Sequence, residues 1–157
     1  MRPRTVVKTV ARLENEGASV TDETTERVAA ELEIRNVIAR LAILADQGDL
    51  DEYLEHFTQD AVWAFPDAAR TGREQIRAGA VERRAGGVTG PGTNTRHVIT
   101  TVAVKVDGSD VASADSYFLF FQATTTAPTL FNMGWYQDTF VRQRGRWLLA
   151  RRQITFG

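Results

Sequence analysis

The C-terminal part of the chain constrains the fold most strongly, because it reads as four consecutive strands. The segments rich in β-branched and aromatic residues span residues 95–106, 110–123, 130–143 and 146–156. Asp107-Gly108 and Arg144-Gly145 predict two tight hairpins, and the sequence TTTAPT predicts a looser connection. Strands joined in this way run antiparallel to their neighbours. We therefore expect an antiparallel meander after residue 94.

Three helical segments precede these strands. Thr21 is the predicted N-cap of the first helix and Gly48 its predicted end, and Asp49 with Glu52 resembles a capping box that begins a second, short helix. Residues 73–85 form the third predicted helix. The apolar residues predicted to face the core from these helices are Val28, Leu32, Val37, Ile38, Leu41, Leu44, Ala45, Leu50, Tyr53, Leu54, Phe57, Ile76, Ala80 and Val81.

Helices followed by a run of strands indicate one α+β domain with the helices packed on one face of the sheet. The length of 157 residues fits a single domain, which we assign to residues 21–157 after a flexible N-terminal arm of residues 1–20. Residues 61–65 predict a further short strand, and the glycine-rich residues 86–94 predict a flexible loop. Both faces of the predicted sheet are apolar, so one of them lines a cavity or contacts another subunit. We expect a homo-oligomer, a dimer or a trimer.

Composition and missing motifs exclude several classes of function. Nineteen basic and twenty acidic residues give no overall field that would attract nucleic acid or an anionic membrane. No apolar segment approaches the length of a transmembrane helix, and the lack of cysteine excludes disulfides and thiolate metal sites, so we expect a cytoplasmic protein. The run GGVTGPG lacks the Lys-Ser/Thr of a phosphate loop, and two histidines are too few to predict a zinc site. We expect neither a metal nor a cofactor.

Two sets of polar residues have ordinary explanations. His56 is out of phase with the apolar residues of its helix, which predicts a solvated surface position. The last predicted hairpin is rich in arginine, which is explained more simply by a solvated edge than by an anion site. These arginines are Arg142, Arg144, Arg146, Arg151 and Arg152.

Asp46 and His97 are the residues that ordinary structural rules explain least. In the sequence LAILADQGDL, Asp46 follows an apolar run near the end of the first helix, where the helix dipole disfavours a carboxylate. His97 begins the strand after the glycine-rich loop and shares a predicted strand face with Ile99, Thr101 and Ala103. An acid and an imidazole that meet across an apolar cavity form a proton-transfer pair. A hydrogen-bonded histidine at a strand edge is the alternative explanation of His97.

Several segments, taken in order, resemble a known family. They are IRNVIARLAILADQGDLDEYLEHFTQDAVW, TGREQI, TRHVITTVAV with the following VDG, and MGWYQDTFVRQRGRW, and they cover about residues 30–155. This pattern resembles the SnoaL-like branch of the nuclear-transport-factor-two-like (NTF2-like) superfamily. The resemblance implies a cone in which a strongly curved antiparallel sheet wraps around three N-terminal helices and encloses a deep apolar pocket.

The resemblance also implies an activity. In members similar to scytalone dehydratase and bile-acid dehydratase, an Asp at the end of the first long helix pairs with a His at the start of the strand after the third helix, and Asp46 and His97 match those positions. A Tyr that some dehydratases carry five residues before this Asp is Leu41 here. The implied function is a cofactor-independent dehydratase, lyase or isomerase acting on a small hydrophobic ring or polyketide-like substrate. A non-catalytic binding or accessory subunit and a polyketide cyclase with a lone Asp stay open as alternatives.

Further residues are expected around such a substrate. A hydroxyl, amide, acid or cation on the strands would hold its polar groups, and an indole would form part of the pocket wall. The candidates for substrate binding are Tyr117, Asn132, Tyr136, Asp115, Arg152 and Trp63. The loop of residues 86–94 ends just before His97, so it is either a plain connector or a lid that shields proton transfer from water.

Overall fold

The structure is a computed structural model that describes the backbone of residues 5–157 and the side chains of residues 21–157. Two helices, two strands and a third helix precede four long strands. In chain order the elements are α1 (Thr5–Gln47), α2 (Leu50–Glu55), β1 (Phe57–Ala64), β2 (Ala69–Thr71), α3 (Arg73–Ala85), β3 (Arg96–Asp107), β4 (Val111–Gln122), β5 (Thr129–Gln143) and β6 (Arg146–Phe156). The predicted α+β class with helices packed on one sheet is confirmed.

The six strands form one sheet in the order β2-β1-β6-β5-β4-β3. The four strands of the C-terminal part make the expected antiparallel meander. The prediction that the whole sheet is antiparallel is wrong for one pair, because β1 lies parallel to β6. Strand β1 follows α2 and reaches β6 from a distant part of the chain, so no hairpin fixes its direction. It begins at Phe57 instead of residue 61, and no strand was predicted at the position of β2.

Helix α1 differs from its prediction in its start and in its buried face. It begins at Thr5, so Thr21 lies inside the helix and is not its N-cap. Val28 and Leu32 are exposed by 48% and 58%, because the face that packs on the sheet is set by Ala30 and Ile34 in phase with the later apolar residues. Residues 1–4 of the predicted flexible arm lie outside the described residues, and the arm itself stays a prediction.

Helices α2 and α3 follow the sequence closely. The Asp49 side chain caps α2 by accepting hydrogen bonds from the backbone N–H groups of Asp51 and Glu52, at 2.7 Å and 3.0 Å. Helix α3 has the predicted bounds and buries Ile76 as predicted, together with Ala80. Val81 is exposed, since it lies one residue beyond Ala80 and so on the outer side of the helix.

The inner face of the sheet packs on the helices and forms the core. Alternate residues of β4 and β5 are buried there, from Ala112 to Phe120 and from Gly134 to Phe140. A bulge interrupts β3 between Thr100 and Ala103, with Thr101 at φ 54°. The predicted common face of Thr101, Ala103 and His97 is therefore wrong, because the bulge reverses the alternation. No helix in the described part of the chain is long and apolar enough to cross a membrane.

Candidate active site

Asp46 and His97 lie in contact between the last turn of α1 and the start of β3. One carboxylate oxygen of Asp46, Oδ1, lies 2.7 Å from the ring Nδ1 of His97. The other, Oδ2, accepts a hydrogen bond from the backbone N–H of His97, also at 2.7 Å. Asp46 is only 3% exposed. Its two buried oxygens therefore both accept hydrogen bonds from His97. The carboxylate thus fixes both the backbone and the ring of His97.

This contact determines the tautomer of His97. A carboxylate only accepts hydrogen bonds, so Nδ1 carries the proton and the neutral ring keeps its lone pair on Nε2. The ring also packs against Phe120, with 4.6 Å between the two centroids. His97 is partly exposed, and its exposed edge faces a cavity that it helps to line. The result is an imidazole of fixed orientation at the wall of an apolar cavity.

The position of Asp46 at a helix C-terminus has a local explanation. Arg84 of α3 donates hydrogen bonds to the carbonyl oxygens of Leu44 and Gly48, at 3.0 Å and 2.7 Å. A cation here satisfies free carbonyl groups and opposes the negative end of the α1 dipole. Together with the two hydrogen bonds from His97, it offsets the unfavourable position of the Asp46 carboxylate.

The cavity has two adjoining chambers inside the cone, an inner one of about 50 Å³ and an outer one of about 190 Å³. Both chambers share part of their wall, which consists of Trp63, Arg83, Thr89, His97 and Tyr136. Leu41, Ala42 and Ala45 of α1 provide half of the remaining wall residues of the inner chamber, and most of the remaining wall residues of the outer chamber are phenylalanines. His97 is therefore accessible from both chambers.

A buried ion pair lies behind the cavity wall. Arg152 donates two hydrogen bonds to the carboxylate of Asp138, at 2.8 Å and 2.6 Å, and the two side chains are 4% and 0% exposed. Burial raises the pKa of the Asp138 carboxyl, and the guanidinium of Arg152 opposes that shift. The Arg152 guanidinium also lies over the ring of Tyr136 at 3.9 Å and over that of Trp63 at 5.2 Å. It positions two rings of the wall.

Trp63 and Tyr136 of the wall carry hydrogen-bond donors without a protein partner among the described residues. The indole Nε1 of Trp63 is buried and unpaired, and the Tyr136 hydroxyl makes no hydrogen bond there. Burial raises the pKa of the Tyr136 hydroxyl, which therefore stays protonated and can donate. Tyr136 is held by stacking on Phe118, with 4.4 Å between the ring centroids. Of the two, the Tyr136 hydroxyl is available to a ligand oxygen, since the Trp63 Nε1 is fully buried.

The structure sorts the predicted substrate-binding residues into two groups. Trp63, Asn132, Tyr136 and Arg152 line the chambers, as a substrate-binding role requires. Asp115 and Tyr117 do not, and their assignment is corrected.

The inward residues of β4 are the even-numbered ones, so Asp115 and Tyr117 lie on the outer face of the sheet. There Asp115 accepts a hydrogen bond from the indole Nε1 of Trp135 at 3.0 Å, and Tyr117 is 49% exposed. Neither side chain contributes to the cavity.

Other residues of the site were missed. Asp138 shares the inward face of β5 with Tyr136 and lies opposite Arg152 in the register of the hairpin, so strand alternation could have revealed it. Arg83 gave no such signal, because an arginine on a polar helix usually points to solvent. Thr89 of the glycine-rich loop is buried and lines both chambers, so this loop covers part of the cavity.

His56 is half-buried at the C-cap of α2, and the expected solvated position is therefore corrected. Burial lowers the pKa of its imidazole, with a further contribution from nearby Arg146. His56 does not line either chamber. Of the hairpin arginines, Arg152 alone is buried. Within residues 21–157 no group of three His, Cys, Asp or Glu side chains is placed to hold a metal.

Comparison with known proteins identifies the family. A profile of the SnoaL-like domain matches residues 26–153, so the chain belongs to the SnoaL-like family. The family predicted from the sequence is confirmed. No curated protein matches the sequence significantly.

Solved structures share the fold. Rv3472 from Mycobacterium tuberculosis, a protein of unknown function, has a TM-score of 0.75 and 26% identity over 85% of this chain and 75% of that chain. An NTF2-like protein with a cystatin-like fold from Novosphingobium aromaticivorans has a TM-score of 0.73 and 24% identity, over 99% and 91% of the two chains. A third protein, from the same organism and assigned provisionally as a scytalone dehydratase, has a TM-score of 0.70 and 17% identity, over 85% and 88%.

Proposed function

We propose that this protein is a cofactor-independent acid–base enzyme of the dehydratase, lyase or isomerase type, with His97 as its general base. The observation that carries the proposal is the contact of 2.7 Å between Asp46 Oδ1 and His97 Nδ1, at the wall of an apolar cavity. No Asp or Glu side chain is among the described residues that line the two chambers. His97, with a free lone pair on Nε2, is thus the side chain there that can act as a general base.

The geometry suggests a course for the reaction. Nε2 of His97 removes a proton from a carbon next to a substrate carbonyl, and Asp46 stabilises the imidazolium that forms. The electron pair of the broken C–H bond moves toward the carbonyl oxygen, which accepts hydrogen bonds from donors such as Tyr136. In a dehydration, the pair then forms a C=C bond while a C–O bond breaks, and the proton on Nε2 leaves with the hydroxide as water. In an isomerisation, the same proton returns to another carbon.

The size and walls of the cavity indicate the substrate. A dry apolar cavity of about 150 Å³ holds one benzene ring. The outer chamber is slightly larger than this, at about 190 Å³, and its wall includes Phe118, Phe120 and Phe131. The inner chamber is large enough for a polar substituent only. We therefore propose a small hydrophobic ring that carries oxygen substituents.

The alternative of a cyclase with a lone acid has less support. Asp46 is 3% exposed and is not among the residues that line the two chambers, and both of its oxygens accept hydrogen bonds from His97. Asp115, the acid among the substrate-binding candidates, lies on the outer face of the sheet. A non-catalytic binding subunit would have the same cavity but would turn over no substrate. The following assay distinguishes this alternative from the proposed enzyme.

The assay uses 3-hydroxycyclohexanone for dehydration and cyclohex-3-enone for isomerisation, because both give the ultraviolet-absorbing product cyclohex-2-enone. We expect His97→Gln to lower the rate at least about 100-fold, within the range typical of a positioned acid–base group. His56→Gln is the matched control, since it replaces the other histidine, outside the cavity. Equal rates for the wild type and His97→Gln would overturn the proposal. Binding of cyclohexanone without any turnover would favour the binding subunit.

We further propose that the protein forms a homo-oligomer through the outer face of the sheet. Large side chains are exposed there on neighbouring strands, including Tyr117, Met133 and Trp135. Covering such a patch removes apolar area from water. The expected result is a dimer or trimer by analytical ultracentrifugation that Tyr117→Lys weakens, and a monomeric wild type contradicts it. The cytoplasmic location also stays a prediction.

A further inference from the structure

One charged side chain of the cavity wall has no partner among the described residues. Two acids lie near the wall, and each is paired with one cavity residue, Asp46 with His97 and Asp138 with Arg152. Arg83 of α3 lines both chambers as well. Among the described residues, its side chain makes no hydrogen bond and no ion pair with the protein. Arg83 is therefore the one arginine of the cavity wall without a protein partner there, since Arg152 is paired with Asp138.

This charge acts inside the cavity. The partly buried Arg83 lowers the pKa of the hydroxyls of Tyr53 and Tyr136, although burial outweighs this effect in both. Charges in a cavity with apolar walls interact more strongly than charges in water. The Tyr136 hydroxyl, which has no hydrogen bond among the described residues, belongs to the same shared wall. A guanidinium and a neutral donor thus point to one kind of ligand, an oxygen anion.

We propose that Arg83 is a specificity-determining residue that binds a carboxylate on the ring substrate. The proposal rests on the proposed function in one respect, namely that this cavity is the substrate site. A guanidinium binds a carboxylate through two parallel hydrogen bonds and stays charged at every relevant pH. The anionic group would also hold the ring in one orientation against His97. The substrate class is then a small cyclic carboxylic acid with a further oxygen substituent.

The test compares the binding of benzoate and benzamide by isothermal titration calorimetry. The two probes have nearly the same shape and differ in charge, and a single ring fits the outer chamber. We expect the wild type to bind benzoate at least about tenfold more tightly, as for a charge-assisted hydrogen bond. Arg83→Gln should remove this preference and leave the affinity for benzamide unchanged, which also shows that the cavity is intact. Arg83→Lys should keep part of the preference.

Arg77→Gln is the matched control, because Arg77 is an exposed arginine of the same helix that pairs with Asp51 outside the cavity. It should bind both probes like the wild type. Equal affinities of the wild type for the two probes, or a preference that survives in Arg83→Gln, would overturn the proposal. A benzoate preference that depends on Arg83, without turnover in the cyclohexenone assay, would refute the proposed enzyme function alone.

Discussion

The replacement of Asp138 by leucine should be strongly destabilising, because it leaves Arg152 buried without its partner. In the native protein the two side chains share two hydrogen bonds and are 0% and 4% exposed. Breaking such a pair from one side costs about 3–5 kcal/mol. In a chain of 157 residues each kcal/mol corresponds to about 2–4 °C in the melting temperature. Asp138→Leu should therefore lower the melting temperature by roughly 6–20 °C.

The assay is a double-mutant cycle with Asp138→Leu, Arg152→Met and the double variant, each measured by urea and thermal unfolding. The double variant should have a free energy of unfolding close to that of the wild type, because an apolar pair replaces an ionic one of similar volume. A loss below about 1 kcal/mol in Asp138→Leu would refute the reasoning. So would a double variant that is as unstable as the worse single variant.

Three further predictions concern particular residues. Gly134→Ala should cost about 1–3 kcal/mol in urea unfolding, since its Cβ would lie 2.2 Å from the carbonyl oxygen of Thr155 and 2.7 Å from Phe118; an unchanged midpoint contradicts this. Asp49→Ala removes the N-cap of α2 and should lower the free energy of unfolding by about 1 kcal/mol, whereas Asp49→Asn should keep most of this stabilisation. The pKa of His56 is lower in the folded protein than in the unfolded chain, so its contribution to stability is complete above about pH 6.5 and is lost as the pH falls toward the folded pKa. The pH dependence of thermal unfolding should accordingly be flatter in His56→Gln, and a curve parallel to that of the wild type contradicts this.

Local signals in the sequence were sufficient for most elements. The bounds of α3 and the cap at Asp49 follow from breakers and capping residues that act within one turn. The meander follows from short turns between strands. The parallel pairing of β1 with β6 was not predicted, because it joins segments about 90 residues apart without a connecting turn.

The errors at the site have two physical causes. A bulge near Thr101 shifts the alternation of β3 within one strand, and no single residue of the sequence marks it. Asp115 and Tyr117 were assigned by residue type, whereas strand alternation places them on the outer face. Asp138 was missed for the opposite reason, because a buried acid is stable only with a partner that the tertiary structure brings to it.

Asp46 was informative because it did not fit local rules. A carboxylate at the end of a helix, next to apolar residues, has no favourable local contact. Its favourable contacts come from residues that are distant in sequence. His97 donates hydrogen bonds to both carboxylate oxygens of Asp46, and Arg84 donates to the neighbouring carbonyl groups of Leu44 and Gly48. Charged residues that break a local rule are therefore good candidates for a site, provided that a partner can be found elsewhere in the chain.

The most direct test of the central claim is the exchange of the α-protons of cyclohexanone in D₂O, followed by NMR with wild type, His97→Gln and His56→Gln. Exchange requires only that a base in the cavity removes a proton from carbon, and no group has to leave. We predict that the wild type accelerates exchange over buffer, that His56→Gln does so equally, and that His97→Gln is at least about 100-fold slower. Exchange by His97→Gln at the wild-type rate, or no acceleration by the wild type, would contradict the role of His97 as the base.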